Sequence, residues 1–482
     1  MSKLLSHLGA VAASLALSAC AVGPKAPVPG APPSAAGPFV SSRPETAANA
    51  PARNDWWRLY EDPAVDRLVT QALANNNELE AASANLRAVR ASLRETRGDR
   101  LPRFTTTASA SRQQPSASAL GPAMSAAGRP EAYETYDAGL EVSYEVDLWG
   151  RIAAAVRAAR ADANAAQAAL EVLQVSVAAE TARAYADACA ANAQIAVAER
   201  TLALQNRTAD LVERQRQAGG GDGLDVARAR SAAASTAAAI PPLRAQRDGA
   251  LFRLGTLVGV PPKEVDSQIR ACGAVPRVAQ AIPVGDGESL LARRPDVRRA
   301  EQEVAAAAAR VNVAVASLYP SITLGGSAGA TALDIADLGK DDNFRFSIGP
   351  LISWSIASPG TSRARVERAD ANLDAALARF DQTVLVALQE TETALSAYAA
   401  ELDRNRALSE ARARAADAAR LAEIRFQAGS DSFLAVLDAQ RTLAQAEMAL
   451  SASQGALATA QISVFKALAG GWDAGPRQLA QR

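Results

Sequence analysis

The chain has 482 residues, 51 basic and 51 acidic, and only 4% of its side chains are aromatic. That length would allow two or three ordinary domains, but a sequence rich in Ala, Arg, Gln and Glu suits long helices and coiled coils better than a jigsaw core. Balanced charge without a basic block or stripe excludes nucleic acid as a partner. The single histidine, His7, falls in a segment expected to be removed, so Ser-His-Asp chemistry, His-ligated zinc and a His general base are excluded too.

Residues 1–19 read as a secretory signal, with Lys3, an apolar run from Leu8 to Leu17, and small residues before Cys20. The run is too short to remain as a membrane-spanning helix. Leu17-Ser-Ala-Cys20 resembles a bacterial lipobox, which implies cleavage before Cys20 and acylation of that residue. Ala21, rather than Asp, fits sorting to the outer membrane. An ordinary signal peptide with an incidental cysteine is the plain alternative, but the Pro/Gly/Ala-rich tether over 20–52 favours the lipid, and several acyl chains anchor stably.

The folded part begins near Trp56-Trp57 and Asp62-Pro63. Apolar residues at helical spacing (Val65, Leu68, Val69, Ala72, Leu79, Leu86, Leu93) predict one helix from about Ala64 to Gly98, stopped by Gly98 and Pro102. Alternation then predicts strands over about 103–113 and 134–148. In the second, Leu140, Val142, Tyr144, Val146 and Leu148 alternate with Glu141, Ser143, Glu145 and Asp147, one face apolar and the other acidic. A helix over 150–217 follows, on the order of 100 Å long at about 1.5 Å per residue. Gly219 to Gly223 turns the chain into a helix over 224–257, with a disturbance expected at Pro241-Pro242.

These elements form a first structural repeat, 53–258. After a linker over 259–290 a second repeat, 291–470, retells the plan: a helix from Pro295 to Leu318, strands at about 321–330 and 344–356, a long helix 360–427, a turn at Gly429, and a helix 431–469. A tail, 471–482, closes the chain. Arg160-Ala-Asp-Ala-Asn164 recurs as Arg368-Ala-Asp-Ala-Asn372, Gln217-Ala-Gly219 as Gln427-Ala-Gly429, and Leu101-Pro102 is answered by Tyr319-Pro320. In each half, the two shorter helices laid end to end roughly match the single long one. Cys189 and Cys272 have no metal-ligand spacing and are read as structural; two residues alone do not specify a disulfide.

Strands of this length, apolar on one face and polar on the other, suit an outer-membrane barrel, because only closed barrels let strands cross lipid with every backbone group paired. Four strands are too few to close. At least two chains must contribute, and three would supply twelve strands. Trp149, Trp354 and Phe104 lie where strands meet helices, and Tyr133 and Tyr136 at the opposite ends, like the two aromatic girdles of such barrels. A soluble hairpin capping a helical bundle is the competing reading.

Cys20-Ala-Val-Gly-Pro24, Trp57 with Asp62-Pro63, Ala74-Asn75 before Leu79, Leu101-Pro102, Tyr144-Glu-Val-Asp-Leu-Trp-Gly-Arg151, Arg293-Arg-Pro-Asp-Val297, Tyr319-Pro320 and Leu437-Asp-Ala-Gln-Arg441 together resemble the outer-membrane efflux proteins of the TolC/OprM type, in their lipoprotein branch. The resemblance covers essentially the whole mature chain. It implies an α+β membrane protein with an internal tandem repeat: a homotrimer whose twelve-stranded outer-membrane β-barrel continues into a long periplasmic α-helical barrel. It also implies a Gram-negative outer membrane with lipid around the barrel, a periplasmic adaptor (membrane fusion) protein, an inner-membrane RND-type pump, and export of drugs or other small molecules. No cofactor is expected beyond the covalent lipid on Cys20, and no catalysis.

The same resemblance places a gate at the helix turns. Leu434, Asp438 and Arg441, four and three residues apart, share a helical face and match the family's constricting leucine, its aspartate and the neighbouring arginine. Asp225 matches an acidic tip residue, and Phe426 stands where the family often has tyrosine, so it can constrict but has no hydroxyl to donate. A leucine ring can block water and an aspartate ring sets a cation-preferring mouth. The plain alternative is that Leu434 packs between helices and Asp438 pairs with Arg441. Two other functions compete: a TolC-like exit duct for secreted polypeptides, and a lipid-anchored coiled-coil spacer. An enzyme is the poorest reading, since no metal cluster, phosphate loop or nucleophile elbow appears.

Overall fold

The computed structural model describes residues 23–24, 27, 29–30, 32–48, 50, 53–116, 131–265, 267–354 and 359–469. Cys20, the signal segment, the tail and the last residues expected of the fourth strand lie outside them. In chain order the longer elements are α1 (Pro63–Asn75), α2 (Asn77–Gly98), β1 (Arg103–Gln113), β2 (Tyr133–Val146), α3 (Arg151–Gln217), α4 (Gly223–Val258), α5 (Gly287–Arg293), α6 (Pro295–Ala316), β3 (Ser321–Ala332), β4 (Phe344–Ser353), α7 (Pro359–Gln427) and α8 (Phe433–Ala467).

The chain divides into two compact units, and both repeats contribute to each. One holds residues 86–166 and 300–380 with the N-terminal segment to Pro29; the other holds 30–85, 167–299 and 381 onward. The first contains an antiparallel sheet in the order β1-β2-β3-β4. The register opposes Phe104 to Val142, Leu140 to Ala328 and Leu324 to Pro350, so most apolar residues of the four strands share one face, with Leu351 opposite Thr323 on the other. That face is not covered: Phe346 is 74% and Ile348 86% exposed. β1 and β4 are the outer strands, each with one edge unpaired among the described residues. Gly329 is required at its place, since a Cβ there would come within 2.9 Å of the Gly139 backbone.

The second unit is helical. Its core stacks Trp56 on Phe465, ring centroids 4.9 Å apart, with Leu251, Leu254, Leu290, Leu395 and Leu468 buried. Asp62 caps α1 by accepting from the Ala64 N–H at 2.8 Å, and its other oxygen accepts from the Tyr185 hydroxyl. Trp57 donates to Asp66 at 2.9 Å. The Asp66 carboxyl is held below its ordinary pKa, first by the Arg58 hydrogen bond and also by that of Trp57, against a smaller upward push from burial.

Several expectations change. The first helix is two, because Asn76 ends α1 in an extended conformation and its side-chain oxygen accepts from the Glu78 and Leu79 N–H groups to start α2. Its amide nitrogen donates to Leu257 O at the end of α4, 3.0 Å away. The second strand stops at Val146, not 148, because Asp147 turns to cap α3 through the Ile152 and Ala153 N–H groups. α6 stops at Ala316, two residues short of Leu318. Pro241 and Pro242 do not break α4; Ala237 and Ala238, whose carbonyls lose their usual donors, are exposed, so water can take those carbonyls.

The linker is also more ordered than its composition suggests. It ends in the first turn of α5, buries Ile269, Val278 and Ile282, and is joined to α3 by a Cys189–Cys272 disulfide with a Cα–Cα distance of 5.1 Å. Asn192 donates to the carbonyls of Arg270 and Cys272, both at 2.9 Å. Gln461 of α8 grips Val278 through both its N–H and its carbonyl. Part of the tether is docked as well. Ala47–Ala48 pair with Ile282–Pro283, and the Glu392 carboxylate accepts from the Val40 and Ser41 N–H groups at 2.7 and 2.8 Å.

Candidate functional site

Two places gather the residues singled out in the sequence. The first is the corner between strands and helices in the sheet unit, where the Asp-Leu-Trp-Gly-Arg motif takes physical form. Asp147 caps α3. Gly150 has a φ of 75°, in the left-handed region that favours glycine. Arg151 reaches back to Glu145 on the polar face of β2 with two hydrogen bonds of 2.8 and 2.7 Å, the fork geometry that carboxylates favour. These bonds and the opposing effect of burial leave the Arg151 guanidinium raised above its ordinary pKa. Trp149 stacks on Tyr319 at 4.7 Å and donates to Pro320 O at 2.8 Å, so the Tyr-Pro of the second half is the seat for the tryptophan of the first. Trp354 donates to Leu318 O at 3.2 Å. Of the expected girdle residues, Phe104, Trp354 and Tyr136 fall on the apolar side by alternation. Tyr133 does not: it lies three residues from Tyr136 in one strand and therefore faces the other way, accepting a hydrogen bond from Gln113.

The second place is the pair of helix turns in the helical unit. The turns share a geometry. Gly220 N–H donates to Gln215 O and Gly219 N–H to Arg216 O after α3; Ser430 N–H donates to Arg425 O and Gly429 N–H to Phe426 O after α7. Gly219 and Gly429 have φ of 83° and 71°, the left-handed cap that closes a helix C-terminus. Asp222 caps α4 through the Leu224 N–H.

Behind the turns, Phe433, Val212, Val226, Ala209 and Ala229 form a small core on which Phe426 and Leu437 pack. Phe426 and Phe433 lie 5.7 Å apart at 57°. Leu434 is left out of that core and is 53% exposed. Asp438 is paired with Arg441 on its own helix at 2.6 Å, and Asp225 lies 3.6 Å from Arg228. The structure thus combines both sequence alternatives: the acid–arginine pair exists, and the leucine is nevertheless free of the core. Leu434, Asp438 and Arg441 line a groove of about 770 Å³ with Arg228, Ser231 and Ser235 of α4. Sequence reasoning did not find Phe433 or Arg228. Phe433 was detectable as the aromatic partner across the turn from Phe426; Arg228 depends on contacts made after folding.

The family profile described as "Outer membrane efflux protein" matches residues 68–260 and again 287–470. The chain is 32% identical over 488 residues to the "Probable efflux pump outer membrane protein TtgC" of Pseudomonas putida, spanning 98% of this chain and 96% of the relative. It is 29% identical to the "Outer membrane protein OprJ" of Pseudomonas aeruginosa, spanning 100% and 99%. Among solved structures, the outer-membrane channel OprN superposes with a TM-score of 0.87 at 36% identity, over 94% of this chain and 100% of that one.

Proposed function

The chain belongs to the outer membrane efflux protein family, and from that premise we infer that it is the outer-membrane exit duct of a tripartite efflux pump, passing small molecules without chemistry of its own. The observation that carries this reading is the sheet: four strands, one face apolar and exposed, two edges open. Lipid is the medium in which that face is stable, and closure with other copies is what satisfies the edges. Three copies give a twelve-stranded barrel. No helix among the described residues is long and apolar enough to cross a membrane. An acylated Cys20 would hold each chain to the same bilayer. A periplasmic adaptor and an inner-membrane RND-type pump would supply cargo and energy.

The gate is proposed at the turns. Exposed Leu434 narrows the passage and Asp438 gives it a cation preference. The Asp438–Arg441 pair fixes the carboxylate's position, and Phe426 supports the turn from the core behind it. Asp438→Ala combined with Leu434→Ala is expected to raise single-channel conductance of the trimer in planar bilayers. An unchanged closed conductance would remove these residues from the gate while leaving the duct reading intact.

A further inference from the structure

Within the sheet unit, α3, α6 and α7 enclose a cavity of about 650 Å³ whose wall is arginine-rich: Arg151, Arg310, Arg365, Arg368 and Arg379. Three are already engaged: Arg151 with Glu145, Arg310 with Asp162 at 2.6 Å, and Arg379 with a partner of its own. Arg365 and Arg368 have no hydrogen-bond or ion-pair partner among the described residues and are exposed. Three residues apart on α7, they lie on one face. Only Asp162 and Glu303 add negative charge to the wall, so a positive excess remains even after Glu145 is counted against Arg151.

The internal repeat tells which side this cavity faces. Aligning Leu101-Pro102 with Tyr319-Pro320 places Ser92 and Thr96 of α2 and the following Asp99 at Arg310 and Ala314 of α6 and the following Ser317. Ser92, Thr96 and Asp99 line a cavity with Ser143, Glu145 and Thr323, residues of the sheet's polar face. The α6 wall of the arginine cavity is therefore on the polar side as well. Asn312, two residues from Arg310 and so turned well away from it on the helix, lies against Gly23 instead, in the segment that follows Cys20 and belongs outside the duct. The repeated pentapeptide accordingly does two jobs. In the first copy Asp162 and Asn164 bind Arg310 and Gln302 of α6; in the second, Arg368 and Asn372 are turned into the cavity.

We propose that Arg365 and Arg368, backed by Arg310 and Arg379, form an oxyanion-binding station inside the duct just below the barrel, one per chain, for carboxylate-, sulfonate- or phosphate-bearing solutes in transit. Guanidinium forks bind such groups in a bidentate manner, and a low-dielectric wall strengthens the attraction. The proposal rests on the duct reading, which supplies the lumen. With the proposed acidic gate, it gives the duct groups of both signs.

The test is ion current through the full-length trimer in a planar bilayer of phosphatidylcholine, with inorganic tripolyphosphate added on the barrel side. Wild type is expected to be blocked, and Arg365→Gln with Arg368→Gln to need at least ten times more tripolyphosphate for half-block. Arg363→Gln, which removes a nearby charge that does not line the cavity, should behave as wild type. If the double variant does not yield a heat-resistant trimer, Arg368→Gln alone should need at least three times more. Equal block in wild type and variant, no block in wild type, or the same loss in Arg363→Gln overturns the station while conductance itself still stands for the duct. Absence of any conductance overturns the duct reading and this one with it.

Discussion

At residue 76 the first repeat turns a corner on an amide, and at residue 294, the matching position, the second repeat turns it on a guanidinium. Asn76 and Arg294 do the same local work. Each stands between two helices, and each gives a hydrogen to a carbonyl at the end of its own repeat's last helix, Leu257 O at 3.0 Å and Ala467 O at 2.8 Å. The shorter helices of each half are joined end to end by that bond. The surroundings differ. Arg294 is 5% exposed, binds Asp296 with two hydrogen bonds and Glu390 of α7 at 2.7 Å, and so ties the joint to the long helix beside it. Burial alone would lower its pKa, but the bonds to Asp296 and Glu390 outweigh it and hold the guanidinium above its ordinary value. Asn76 has no such charge network among the described residues; the Cys189–Cys272 bridge lies in the same core, between α3 and the linker. One repeat is secured by charge and the other by a covalent bond, which is how a duplicated plan can diverge without changing shape.

Three substitutions separate these devices, taken from the largest effect down. Arg294→Ala leaves the Ala467 carbonyl without its donor and removes the shared partner of a part-exposed Asp296 and an exposed Glu390; because both carboxylates keep solvent, the loss falls at the lower end of the about 3–5 kcal/mol that breaking a buried pair costs, and the measure is the guanidinium midpoint of the purified trimer together with its heat-resistant band. Replacing Cys189 and Cys272 with Ser opens a loop with a sequence separation of 83, for a loss of about 2–4 kcal/mol. The same loss should follow from reductant on the native chain, and no change with reductant would mean the bridge is not formed. Asn76→Ala removes a cap and an interhelix bond and should cost about 1 kcal/mol. If it proves as damaging as Arg294→Ala, the contrast between the joints is wrong.

Much of the sheet was readable because its rule is local. Alternation from Phe104 and from Leu140 names the apolar face without knowledge of any partner strand, and the register pairs those residues as the pattern requires. The long helices were readable for the same reason, as runs without Gly or Pro. The joints were not. Asn76 and Leu257 are 181 residues apart and Arg294 and Ala467 are 173 apart, so an isolated asparagine or arginine in the text carries no sign of the carbonyl it will meet. The disulfide was hidden in the same way. At the turns, the spacing of Leu434, Asp438 and Arg441 identified a face, but which residues would join the core depended on the packing of Phe433 against Val212 and its neighbours.

The two open edges of the sheet also govern how the protein is made. A single subunit that reached the bilayer would bring two rows of bare amides and carbonyls into hydrocarbon, each unsatisfied group costing several kcal/mol. Lone entry is therefore closed as a route, and insertion and trimer assembly become one event. Its rate should climb steeply with the number of subunits delivered, and a subunit damaged only at an edge strand would spoil the intact partners it joins.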